Sequence, residues 1–126
     1  MNAFTAIKQV MNPYGIPCKP YTIRTKPLPI RYMEYNYVDD YGADFGDDEP
    51  GCNVTPIQLH YYCPVDEDFL SIKNEIREKL FAAGFTYPQI TVLENEGPFQ
   101  VYDGSKERTL EAMRHLVFEC EYEEDR

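Results

Sequence analysis

The alternation of apolar and polar residues predicts a short helix at the start of the chain. Over residues 2–12 the apolar positions recur at helical spacing: Phe4, Ile7, Val10 and Met11. Asn2 is a suitable N-cap, and Asn12-Pro13 is a stop, because proline disfavours helix at itself and at the residue before it. We therefore expect an amphipathic helix that buries one face.

A second and longer helix is predicted over residues 66–84. Its apolar positions form one stripe, at Phe69, Ile72, Ile76 and Leu80, while Lys73 and Arg77 lie off that stripe. The acids of 66–68 suit the cap and the positive end of the helix dipole, and Gly84 suits a left-handed stop. This helix should lie on a sheet.

Two tyrosine-rich stretches, 30–38 and 56–63, show the period of two that is typical of strands. In the first, one face carries Met33, Tyr35 and Tyr37, and the other carries Tyr32, Glu34 and Asn36. In the second, the faces are Ile57, Leu59, Tyr61 and Cys63 against Gln58, His60 and Tyr62. We expect an antiparallel pair, with the residues between them as a long excursion.

Three further stretches favour strand. Residues 88–93 and 99–102 flank a turn-rich segment at 94–98, and 116–123 alternates between half-buried and solvated positions. Residues 109–114 fit either a helical turn or a continuation of that strand. The pattern predicts an α+β fold, with a mainly antiparallel sheet of four to five strands packed by the N-terminal helix and the central amphipathic helix.

Prolines divide the stretch between the first helix and the first predicted strand. They stand at positions 13, 17, 20, 27 and 29, and each fixes its own backbone and pushes its predecessor away from helix. We expect extended edge or linker segments there. With 126 residues and 43% hydrophobic residues, the whole chain, 1–126, fits one folded domain.

Apolar runs indicate no membrane span or signal peptide. No stretch of about 18 apolar residues is present, and the N-terminus lacks a continuous apolar core with a small-residue cleavage site. We expect an intracellular protein.

Cysteine and histidine give little support for a metal site, cofactor or active site. The four cysteines form no CxxC pair, and Cys63 and Cys120 fall in phase with apolar neighbours, as buried reduced thiols do. His60 and His115 have no nucleophile or carboxylate at a recognisable spacing, and no GxSxG or phosphate-binding loop occurs. We predict no cofactor and no enzyme; His60 should lie on the exposed face of its strand.

Charge is sorted along the chain. Between Arg31 and Lys73 there is no lysine or arginine, although the net charge of the protein is −10. Six carboxylates cluster in one glycine-containing stretch, the acidic loop: Asp39, Asp40, Asp44, Asp47, Asp48 and Glu49. No register of the loop supplies the ligand positions of an EF-hand. Three interpretations remain: incidental divalent-cation binding, a solvated repulsive loop, and carboxylates that line a passage through which DNA slides without sticking.

The first quarter of the chain is basic by contrast. Its first 31 residues hold five bases and no acid, among them Lys19, Arg24, Lys26 and Arg31. The acidic balance of the whole chain disfavours a nucleic-acid-binding surface. These bases could still contact phosphate, but the simpler prediction is that they contact the acidic part of another copy or partner, in an arrangement that suits a heterologous ring.

The order of these motifs resembles that of tail-terminator, or tail-completion, proteins of long-tailed bacteriophages and prophages. The resemblance follows the helix, Gly15-Ile16-Pro17, the strand from Leu28 to Tyr35, the acidic loop, the strand from Ile57 to Tyr62, and the helix Asp68 to Ala83. Departures are Gln58, His60 and Pro64, where the family's strand usually has other residues.

The resemblance implies an α/β subunit whose sheet is backed by helices, in a ring that is typically hexameric. Such a ring caps the tail tube, ends its polymerisation and joins it to the head connector or stopper, while DNA passes without specific binding. It has no active site, lies in the virion tail, and is in the host cytoplasm during assembly. The acidic loop would face the lumen or a neighbouring ring. The alternative interpretation is a small acidic protein-binding module or a DNA-mimic inhibitor.

Overall fold

Six strands form one sheet with two helices on one of its faces in a computed structural model of the chain, which describes residues 1–38 and 52–125. The helices are α1 (Ala3–Met11) and α2 (Leu70–Ala82), and a 3-10 turn (Asn12–Tyr14) follows α1. The strands are β1 (Cys18–Lys19), β2 (Leu28–Pro29), β3 (Tyr32–Tyr37), β4 (Cys52–Pro64), β5 (Gln89–Asp103) and β6 (Lys106–Asp125).

The strand order across the sheet is β1-β3-β4-β6-β5-β2. The four long strands pair antiparallel, whereas β1 pairs parallel with β3 and β2 pairs parallel with β5. The α+β class is confirmed, but the expected four- to five-stranded, mainly antiparallel sheet is wrong in detail. The sheet is mixed because the proline-divided stretch supplies two edge strands of two residues each, too short to show an alternating pattern.

Both helices are confirmed, with one correction at the start of α2. Asn2 caps α1, since its Oδ1 accepts a hydrogen bond of 2.9 Å from the Thr5 backbone N–H. The acids of 66–68 precede α2 instead of forming its first turn, and only Asp68 binds a helix donor, the N–H of Leu70, at 3.0 Å. Gly84 follows α2 with φ +108°, as a left-handed stop requires.

The two tyrosine-rich strands pair as expected. Tyr32 of β3 lies opposite Tyr62 of β4, and the register continues without a break to Tyr37 opposite Ile57. One face of the sheet meets the helices in the main core, which includes Ile7, Met11, Met33, Tyr35, Leu59, Tyr61, Ile76, Leu80, Leu116 and Phe118. The alternation therefore grouped Met33 and Tyr35 correctly, but Tyr37 of the same predicted face is exposed and Tyr32 of the other face is buried in a second core.

Strand β5 is continuous where the sequence predicted two short strands and a turn. The turn-rich segment forms a bulge between Glu96 and Phe99, so the ladder with β6 resumes with Phe99 opposite Leu110. A Cβ on Gly97 would stand 2.7 Å from the carbonyl oxygen of Leu110, so only glycine fits there without a shift. Residues 109–114, left open by the sequence, belong to β6.

The far end of the β5–β6 hairpin, residues 99–110, is here called the distal hairpin. It pairs with β2, from which the chain enters β3 after only two residues. Because that link spans only about 10 Å, the sheet must curl until its β2 edge approaches the start of β3. A second core lies in this curl: Ile23, Ile30, Tyr32, Val101, Leu110 and Met113.

Candidate interaction surfaces

The acidic loop lies outside the described residues. This applies to Asp39, Asp40, Asp44, Asp47, Asp48 and Glu49, so their predicted place at a lumen or between rings stays a prediction. The flanking strands β3 and β4 are antiparallel neighbours, and they place both ends of the loop at one end of the sheet.

Arg31 forms an ion pair within the chain. Its guanidinium donates to Glu67, with Nε 2.8 Å from Oε1 and 3.0 Å from Oε2, and Nη2 also binds Oε1. The carboxylate raises the pKa of Arg31. This pair ties the start of β3 to the turn before α2, so two charges that the sequence assigned to a partner surface and a helix cap bind each other.

The other three predicted contact bases lie in two places. Lys19 lines a groove with Lys8 beside α1 and β1. Arg24 and Lys26 line a different groove of about 580 Å³ against β2 and β5, here called the basic groove. Its remaining lining residues are Thr25, Pro27, Leu28, Pro98, Phe99 and Gln100. The structure therefore keeps Arg24 and Lys26 together and separates them from Lys19.

The basic groove combines apolar surface with two exposed cations. Leu28 and Phe99 of this groove are partly buried and pack against the second core. Arg24 and Lys26 are exposed, and neither has a carboxylate within 4.0 Å among the described residues. An apolar site with unneutralised positive charge suits an acidic occupant.

Three carboxylates form a row on β6, here called the acidic row: Glu119, Glu121 and Glu123. They alternate with Cys120 and Tyr122, which face the main core, so all three point away from the helices. All three are exposed, and none has an ion pair within the described part of the chain.

Strand β5 has a long edge without a partner strand in the described ranges. Strand β2 pairs only with Val101 and Tyr102, so residues 89–100 are paired on the β6 side alone. Val92 is 41% exposed and Leu93 is 43% exposed, on opposite faces of the strand. This stretch, here called the open edge, leaves backbone groups and apolar side chains uncovered.

Four aromatic rings stack on the face away from the helices. Tyr32 and Tyr62 lie 4.6 Å apart between ring centres, Tyr62 and His115 4.4 Å, and His60 and His115 5.0 Å. His60 Nε2 lies 3.2 Å from Oε1 of Gln58, so neutral His60 donates there and its Nδ1 accepts from His115 Nε2 at 2.7 Å. This ring stack borders a cavity of about 280 Å³.

Burial sets the protonation of the ring stack. Burial, together with a smaller charge repulsion from the neighbouring His60, lowers the pKa of His115 to about 4. Burial also lowers the pKa of His60, although Glu34 and Glu119 oppose that shift. Tyr32 and Tyr62 have raised pKa values from burial, that of Tyr32 about 12. At neutral pH all four rings are therefore uncharged.

The sequence analysis did not predict the histidine pair, because it placed His60 on the exposed face of its strand. His60 is only partly exposed, and it lines the same cavity as Tyr21 and Thr22 of the β1–β2 connection. The missing signal was the β4–β6 register: Tyr62 lies opposite His115, which brings His115 diagonally beside His60. A prediction that the strands of His60 and His115 are antiparallel neighbours in this register would have located the histidine pair.

The state of Cys63 and Cys120 agrees with the prediction of buried reduced thiols. Cys18, Cys63 and Cys120 are free thiols, and the last two are buried. Burial raises the pKa of Cys63 and of Cys120 to about 12, so both stay protonated at neutral pH. Within residues 1–38 and 52–125, no cluster of three histidine, cysteine or acidic side chains could hold a metal ion.

Comparison of the chain with models of protein families, with curated proteins and with solved structures gave no match in any of the three. None of the helices in the described ranges is long and apolar enough to cross a membrane.

Proposed function

We propose that the chain is a ring-forming tail terminator of a long-tailed phage or prophage, which caps the tail tube, ends its growth and joins it to the head connector. Support begins with the resemblance in sequence, whose motifs run from α1 through β3 and β4 to α2. An α+β domain with helices backing a sheet is the kind of subunit that the resemblance implies.

The open edge of β5 is the observation that carries the assembly part of this proposal. Twelve residues, roughly 40 Å of strand, lack a second partner strand in the described part of the chain. Proteins that act as monomers normally cover such edges or protect them with charge, because a bare edge pairs with other chains. Glu94, Glu96 and the bulge protect the later part of this edge, whereas Val92 and Leu93 add apolar surface to its earlier part. A neighbouring subunit is the simplest cover.

The mechanism that we infer is geometric. The ring occupies the surface on which the next ring of tube subunits would polymerise, and its opposite surface binds the connector. Its carboxylates repel the phosphates of DNA, and the excess of acids over bases keeps DNA from sticking as it passes.

Removal of the gene from a phage or prophage that encodes this chain tests the role directly. Electron micrographs should show tubes of irregular or excessive length that are not joined to heads, and the wild-type gene supplied in trans should restore both. Normal tails of normal length would refute the proposal.

Light scattering after size exclusion tests the assembly separately. The purified protein should form rings, either alone at high concentration or with tail-tube protein. A protein that remains monomeric or dimeric in both conditions would instead favour the acidic binding module or DNA mimic.

A further inference from the structure

Two surfaces of opposite charge on this chain cannot neutralise each other within one copy. The basic groove lies beside Phe99, which pairs with Leu110 of β6, whereas the acidic row begins at Glu119. Nine residues of strand, roughly 30 Å, separate those two points along β6. No ion pair links the groove and the row within the described residues.

We propose that adjacent copies bind head to tail, with the acidic row of one copy in the basic groove of the next. This inference rests on the proposed ring and names the surfaces that form its contact. The two surfaces differ, so the interface is heterologous, and its repetition closes a ring when the rotation between adjacent copies divides a full turn evenly.

The spacing of the charges fits this contact. Alternate residues of an extended strand lie about 7 Å apart, which sets the distance between Glu121 and Glu123. Arg24 and Lys26 are also two residues apart and are separated by at most about 7 Å of chain. Two cations of one copy can therefore meet two carboxylates of its neighbour at once.

The groove also offers the apolar surface that a specific contact needs. Phe99 and Leu28 form its partly buried wall, and Arg24 and Lys26 are exposed at its rim. Beside the acidic row, the neighbour presents Pro56 and Val54, which lie opposite Glu121 and Glu123 and are only partly buried. The occupant is therefore an acidic strand with small apolar side chains next to it.

Paired charge reversals test the contact. One variant carries Arg24→Glu and Lys26→Glu, and the other carries Glu121→Lys and Glu123→Lys. All four residues are exposed, so thermal unfolding should show both variants folded. Each variant alone should lose the ring peak in size exclusion with light scattering. An equimolar mixture should regain it, because a ring of alternating copies restores opposite charge at every contact.

The matched control is Lys8→Glu with Lys19→Glu, which makes the same change in charge in the other groove. This control should assemble like wild type. Loss of rings in the control alone would move the basic contact to that groove and overturn the inference, as would rings that form normally in all three variants. If all variants assemble normally and only the variant with Arg24→Glu and Lys26→Glu loses binding to DNA, the groove would be assigned to nucleic acid and the inference would be overturned.

These outcomes separate this inference from the proposed function. Wild-type rings with unaffected variants leave the terminator role in place and remove the contact. Wild-type protein that forms no ring, alone or with tube protein, removes both.

Discussion

At the scale of single residues, the ring stack shows how burial decides charge. His60 and His115 share one hydrogen bond at 2.7 Å, and desolvation keeps both rings neutral. Glu34 and Glu119 favour a charged His60, but His115 has no such support and faces His60 itself. Protonation of His115 at Nδ1 would keep its hydrogen bond to His60 but would bury a charge, which destabilises the folded state.

Stability is expected to fall as the pH drops from about 7 to about 5, and His115→Gln should lose this part of the pH dependence. Above the unfolded pKa of 6.5, His115 is neutral in both states and contributes nothing. Between pH 6.5 and about pH 4 only the unfolded chain binds the proton, so protonation stabilises the unfolded state relative to the folded state. The loss should reach about 1 kcal/mol at pH 5, since water at the half-exposed ring weakens the effect.

Urea unfolding of wild type and His115→Gln at several pH values measures this difference. The chain has two histidines, so proton NMR can follow each ring as a separate signal. Stability curves of the two proteins that run parallel from pH 7 to pH 5 would contradict the prediction.

At the scale of elements, the bulge in β5 connects the two cores. The strand runs along the main core through Ile90 and then bends, so that Val101 enters the second core. Gly97 lies at that bend, between the carbonyl oxygens of Leu110 and Glu111. The second core depends on this bend because the distal hairpin brings Val101 and Leu110 to β2.

Gly97→Ala is expected to destabilise the protein by about 1–3 kcal/mol. A Cβ would lie 2.7 Å from the Leu110 oxygen and 2.9 Å from the Glu111 oxygen, and backbone atoms cannot move aside independently. Chemical unfolding followed by circular dichroism measures the change.

Gly104→Asn is the control for this variant. Gly104 opens the turn between β5 and β6 with φ +67° and has no atom within 4 Å of a Cβ, and asparagine tolerates that conformation. Gly104→Asn should change the free energy of unfolding by no more than about 0.5 kcal/mol. Equal losses in the two variants would show that crowding at the bulge is not the cause.

At the scale of the whole molecule, the sheet is covered unevenly. The helices cover one face, the curl of β2 and β3 covers part of the other, and β5 remains bare along its edge. An exposed residue such as Leu70 at the start of α2 has no strand edge beside it. The open edge is therefore a further surface on which a change should affect assembly.

Val92→Glu is expected to raise the protein concentration required for ring formation by about tenfold or more, while the fold remains intact. A charge in the earlier part of the open edge opposes pairing or apolar contact with a neighbour. Strand propensity and partial burial limit the loss in stability to about 1 kcal/mol. Light scattering over a concentration series measures assembly, and thermal unfolding measures stability.

Leu70→Glu is the matched control, since it places the same charge on another exposed apolar position, 54% exposed. It should assemble like wild type, because a carboxylate is well tolerated at a helix N-terminus. Equal loss of assembly in both variants would point to net charge and away from the open edge.

The sequence by itself determined the features that rest on local periodicity. Apolar spacing located α1 and α2, and alternation assigned most of the inner faces of β3 and β4, because each pattern lies within one element. The cap at Asn2 and the stop at Gly84 were predictable for the same reason.

Only the tertiary structure decided which distant residues meet. The β4–β6 register joins His60 to His115, the curl of the sheet adds β1 and β2 as parallel edges, and the turn before α2 brings Glu67 to Arg31. The two residues of the ion pair are 36 positions apart in the sequence, and the two histidines are 55 positions apart. No local pattern encodes a partner at such a separation. Strand pairing selects among many registers by the burial of whole faces, so its outcome appears only when all the strands are in place.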